Sequence, residues 1–144
     1  MKSKLEEAKR FLEDGGYTCV LIQQEKIFQS QKRGVQPLLE LLDTDPHWEG
    51  AVVADRVVGK AAAFLYVLLQ VKAVWAGVMS EPAKAVFQEA GIFCAAEQTV
   101  PAIRNRANTG FCPMESAVKE MRDPWIAREV LKETMRRLQT QKNE

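Results

Sequence analysis

Residues 50–69 constrain the fold more than any other stretch of the chain. Gly50, Ala51, Val52, Val53 and Ala54 form a short valine-rich apolar run of the kind that makes a buried strand. Val58, Ala61, Ala62, Leu65, Leu68 and Leu69 then recur at helical spacing, so the period changes from strand to helix near Asp55. The helix carries Lys60 in its first turn and almost nothing else polar. A helix that is apolar nearly all round has to be covered on most sides, so this unit belongs at the centre of the domain. Asp55, Gly59 and Lys60 are polar or permissive residues at its junction, where open α/β folds place their ligand crevices.

The flanking segments continue the alternation. Ser3 to Glu6 has the form of a capping box, followed by Leu5, Ala8, Phe11 and Leu12 as an apolar stripe and Gly15-Gly16 as a stop. Residues 17–23 and 26–30 read as a hairpin about Gln24 and Glu25, although its turn lacks a glycine. Pro37 suits a first helical turn, and Leu38, Leu39, Leu41 and Leu42 give that helix a buried face. Residues 73–79 form another buried strand. Ser80 caps a helix with Ala83, Val86, Phe87 and Ala90 inward and Gly91 at its end. Residues 92–96 form the next strand, and Thr99, Val100 and Pro101 open a short helical turn. Asn108, Thr109 and Gly110 form a loop. Pro113 and Pro124 each start a helix, and the second runs to about Leu138 with Ile126, Val130, Leu131, Met135 and Leu138 inward. The last residues fray. Strand, helix, strand and helix joined by short connections demand a largely parallel sheet.

A chain of 144 residues, 47% hydrophobic and 27% charged, with no composition break or repeat, is expected to form one domain, with an extra C-terminal helix from about residue 123. Twenty basic against nineteen acidic side chains leave +1, which gives no footprint for nucleic acid or an anionic membrane. With no signal-like or membrane-spanning stretch, a cytoplasmic location is expected. Three scattered cysteines make no disulfide framework, and Cys19 and Cys94 lie in strand-like runs where a thiol is a small core residue.

Residues 54–61 approach a P-loop but put Ala54 at the first glycine and Ala61 at the hydroxyl residue, so neither the phosphate wrap nor the magnesium ligand is supplied. Lys60 is left as a snorkelling side chain or an anion-binding one. No close cysteine or histidine pair marks a zinc site, and His47 is the only histidine; no metal and no cofactor are expected. Cys112 precedes a helix, where the helix dipole favours its thiolate, while Glu115 opposes it and no histidine stands beside it in sequence. It is either a nucleophile or a packing residue. Arg104, Arg106 and Lys60 are candidates for an anion pocket.

Ser80, Glu81, Pro82, Ala83 and Val86 at a strand-to-helix joint, with the order of elements around them, resemble the cytidine deaminase-like superfamily. Its enzymes run a strand into Glu-Pro-Cys-x-x-Cys. Here Glu81-Pro82 are kept and the two cysteine positions are Ala83 and Val86, so the resemblance implies the fold without zinc deamination. A closer resemblance is to a small bacterial and archaeal group within that superfamily, a domain of unknown function. It rests on Arg33-Gly34 with Pro37, residues 54–62, Ser80-Glu81-Pro82, Asn105-Arg106 and residues 109–115, and extends over about residues 5–121.

The resemblance implies a three-layer α/β/α sandwich with a mixed sheet. Asp55, Gly59, Lys60, Ser80, Glu81 and the Cys112 loop are then expected to converge on one crevice. Two functions follow. One is a binding module for a nucleotide-like or anionic small molecule, with Gly59, Lys60, Ser80, Asn105, Arg106, Thr109 and Glu115 as ligand-binding residues. The other is a metal-independent enzyme with Cys112 as nucleophile and Asp55 or Glu81 as acid or base. The binding module is the favoured expectation. A third alternative is a homo-oligomer or interaction protein using the amphipathic C-terminal helix.

Overall fold

The computed structural model describes residues 2–104 and 112–143. A five-stranded mixed sheet runs β2-β1-β3-β4-β5. Its strands are β1 (Cys19–Gln23), β2 (Lys26–Ser30), β3 (Val52–Val58), β4 (Ala73–Ser80) and β5 (Phe93–Val100). β1 pairs antiparallel with both β2 and β3, whereas β3, β4 and β5 are parallel. The helices are α1 (Lys2–Gly15), α2 (Gln36–Thr44), α3 (Lys60–Leu68), α4 (Glu81–Ala90), α5 (Pro113–Val118) and α6 (Pro124–Asn143).

Strand alternation divides the core in two. Val20, Ile22, Val52, Ala54 and Ala73 meet Leu5, Ala8 and Leu12 of α1. Leu21, Val53, Val74 and Ala76 point the other way, into a larger cluster with α2, α3, α4, α5 and α6. At the middle of that cluster, α3 buries every residue from Ala61 to Tyr66, as its lack of polar residues requires. Among the described residues, no helix is long and apolar enough to cross a membrane.

Several boundaries differ from the sequence reading. The change from strand to helix falls at Gly59 rather than near Asp55, because Asp55 and Arg56 stay within β3. Residues 99 and 100 do not open a helical turn; β5 continues through them, with Val100 facing Ser80. α6 passes Leu138 and reaches Asn143, supported by Glu133 pairing with Arg136 and Arg137. It is also rotated from expectation: Ala127 is buried and Ile126 is 56% exposed. In the hairpin, Gln24 takes a φ of 56°, the left-handed conformation that a turn glycine would otherwise supply.

Candidate functional site

The first turn of a helix leaves backbone N–H groups without partners, and Gly59, the N-cap of α3, has no side chain to satisfy them. Glu115 of α5 does so from 55 residues away in sequence. Its Oε1 accepts from the Lys60 N–H at 2.6 Å and its Oε2 from the Ala61 N–H at 2.7 Å. A Cβ at position 59 would overlap this carboxylate, so glycine is what leaves the cradle open. The exchange is reciprocal: Lys60 Nζ donates to the carbonyl of Lys119, the C-cap of α5, at 2.8 Å. Each charge thus sits at the helix end whose dipole favours it. Burial pushes the Glu115 carboxyl above its ordinary range, and the two N–H groups and Lys60 draw it back.

Asp55 lies between Cys19 of β1 and Ala76 of β4. Its Oδ2 accepts from the Tyr66 hydroxyl at 2.6 Å, and its Oδ1 from the Val57 N–H at 3.2 Å. Burial raises the carboxyl to about 6, against the downward pull of Tyr66 and the backbone donors. The Tyr66 hydroxyl and the Cys19 thiol beside it are pushed up chiefly by the same burial, and further by the Asp55 charge. Asp55 is therefore part of an internal Cys19–Asp55–Tyr66 cluster.

The other expected residues divide as follows. Ser80 is buried and spends its hydroxyl on the Ala83 N–H of α4 at 3.2 Å. Glu81 follows it, exposed. Cys112 precedes α5, makes no side-chain cap, and packs half-buried against the larger core cluster. Asn105, Arg106 and Thr109 lie outside the described residues. Gly59, Lys60 and Glu115 are thus joined directly and Cys112 opens the same short helix, while Asp55 and Ser80 are committed elsewhere. Among the described residues, no group of three or more His, Cys, Asp and Glu side chains is placed to hold a metal. A hollow of about 510 Å³, lined by Gln23, Gln24, Glu49, Gly50 and Lys72 among others, lies at the opposite end of the parallel strands.

Sequence reasoning missed Tyr66, Cys19 and Arg56. A signal for Tyr66 was present: it is the one hydroxyl on an otherwise apolar buried helix, and a buried phenol needs a partner. Arg56 reaches across to the end of α1 and the residues after it, donating to the carbonyls of Leu12 at 3.1 Å and Tyr17 at 2.6 Å. Nothing local in the sequence indicates that reach.

No curated protein matches the chain. A crystal structure of a DUF1893 family protein (TM1506) from Thermotoga maritima superposes with a TM-score of 0.86 at 28% identity, over 92% of this chain and 90% of that one. The family model for the domain of unknown function DUF1893 matches residues 7–135, which takes in most of α6, a helix the motif resemblance had left out. The chain belongs to the DUF1893 family of domains of unknown function.

Proposed function

We propose that the chain is a non-catalytic module that binds an anionic or nucleotide-like small molecule on a three-layer, cytidine deaminase-like scaffold in the cytoplasm. The observation that carries this reading is the carboxylate of Glu115 seated on the Lys60 and Ala61 N–H groups under Gly59. A cradle that accepts one carboxylate suits a ligand carboxylate or phosphate that takes its place. Lys60 stands beside it, and Asn105, Arg106 and Thr109 are assigned to the same ligand by their place just before α5 in sequence. The mixed sheet order and the Ser80-capped start of α4 support the deaminase-like scaffold. Ala83 and Val86 offer no donor where the deaminases carry their zinc thiolates.

Catalysis is the weaker reading because the usual activating partner of a nucleophilic cysteine is a histidine, and none stands near Cys112 in sequence. The chain's one histidine, His47, is exposed beside Glu49 after α2. A thermal-shift series with inorganic phosphate, nucleoside monophosphates and dicarboxylates tests the proposal on the native chain and on Glu115→Ala. Stabilisation of both, stronger in Glu115→Ala, is the expected result; a ligand at about 100 times its dissociation constant adds about 2.7 kcal/mol. Absence of a shift in both proteins across all probes would sink the reading.

A further inference from the structure

The two edges of the sheet are treated differently. Native sheets blunt their edges with lysines, prolines, bulges or cover, because a free row of N–H and C=O groups is a template for another strand. The β2 edge follows this practice: Lys26 is held by Asp45 at 2.8 Å, and Lys32 lies just past the strand. β5 does not. Its eight residues, Phe93 to Val100, contain no lysine, arginine or proline, and among the described residues no strand lies beyond it. Phe93 is 46% exposed at its start.

The direction of the free groups is fixed by the pairing with β4. Phe93 donates its N–H to the Lys72 carbonyl at 3.1 Å, so Phe93, Ala95, Glu97 and Thr99 turn their main-chain groups inward to the ladder. Cys94, Ala96 and Gln98 therefore turn theirs outward, and all three carry uncharged side chains.

We infer that β5 is a self-pairing edge: two copies of this chain join β5 to β5 antiparallel, with Ala96 on the two-fold axis, into one sheet that runs through both. In this register Cys94 faces Gln98 of the second copy and Ala96 faces its own counterpart, each pair exchanging both main-chain bonds. Glu97 faces Ala95, and Phe93 faces Thr99. Neighbouring registers are worse. An axis on Glu97 sets two carboxylates directly opposite, which is destabilising. An axis on Ala95 brings Ile92 opposite Gln98, and the Ile92 N–H is already given to the Phe87 carbonyl at 2.9 Å. Strand self-complementarity with no two charges directly opposite, the two Glu97 residues lying only diagonally across the pair, selects a second copy as the occupant, in an isologous two-fold contact.

Sedimentation of the full chain over about a hundred-fold range of concentration reads the association. Ala96→Pro removes only an outward N–H and is expected to raise the dimer dissociation constant by about ten-fold or more. Gln98→Cys reads the register. Facing residues of a hydrogen-bonded pair lie about 5.5 Å apart at Cα, within disulfide range, so mild oxidation should give a reducible covalent dimer through native Cys94 of the second copy. That product should vanish in Cys94→Ser/Gln98→Cys. A native chain that stays monomeric at every concentration overturns the proposal, whatever else covers the edge. A cross-link that survives Cys94→Ser overturns the register, and with it the assignment of Ala96 to the axis.

Discussion

The carboxylate of Glu115 occupies the space that a Cβ on Gly59 would take, so the two residues are complementary by subtraction. Gly59 has a φ of −102°, which alanine adopts freely, and the cost of Gly59→Ala is therefore steric. Gly59→Ala is expected to lower stability by about 1–3 kcal/mol, as overpacking does. In a Glu115→Ala background the same substitution should cost a small fraction of that, and chemical denaturation of the four proteins measures the coupling. Equal costs in both backgrounds would show that α5 does not rest on this contact.

Asp55 sets a pH dependence whose sign follows from its raised value. The folded carboxyl titrates at about 6 against 3.8 for the unfolded chain, so the native state holds a proton that the unfolded state has lost between these values. Its stabilising contribution is complete below the unfolded value and is lost as pH rises through about 6. The swing is about 3 kcal/mol. Asp55→Asn should remove this slope, making the native chain's stability fall relative to the variant between about pH 4 and pH 7, as thermal melts across pH would read. A difference that is flat with pH would refute it.

Tyr66→Phe deletes the strongest of the groups that pull Asp55 downward. The variant should lose about 1–3 kcal/mol at neutral pH by leaving a buried acceptor short of its donor. It should also move the Asp55 titration upward, visible as a shift of the sloping part of the melt-against-pH curve. A loss of stability with the curve unmoved would mean that the hydroxyl matters for packing alone.

Thiol reactivity should follow burial. Cys19 is 3% exposed and its thiol is pushed far up by burial, so it is expected to resist iodoacetamide until the chain unfolds. Half-buried Cys112 should react first at neutral pH, ahead of Cys94, whose thiol burial also raises. Mass mapping over time orders the three, and early labelling of Cys19 would show that β1 opens readily.

The strands and helices were legible where periodicity carries the information. The Pro37, Ser80, Gly91 and Pro113 boundaries all stand where local chemistry put them. Asp55 and Arg56 misled because a polar pair in an apolar run reads as the end of a strand. Their partners are Tyr66 and the carbonyls of Leu12 and Tyr17, and no local pattern shows that a polar side chain will be satisfied at a distance. For the same reason nothing near Glu115 in sequence marks it as the cap of a helix that begins 55 positions earlier. The position of Ala127 rather than Ile126 in the core depends on how α6 lies on α3, α5 and α2, which a heptad count does not contain.

The reach of Arg56 to Leu12 and Tyr17 has a consequence for the order in which a growing chain can be completed. α1 and the hairpin leave the ribosome before β3, with an apolar stripe on α1 and with β1 awaiting its second neighbour. Neither can be finished before β3 arrives with Val52, Ala54 and Arg56. The segment from β3 to β5, by contrast, pairs each strand with the next one in sequence and closes only short loops. The amino-terminal helix is thus made early and secured late. Until then its apolar stripe stays open to other hydrophobic surfaces.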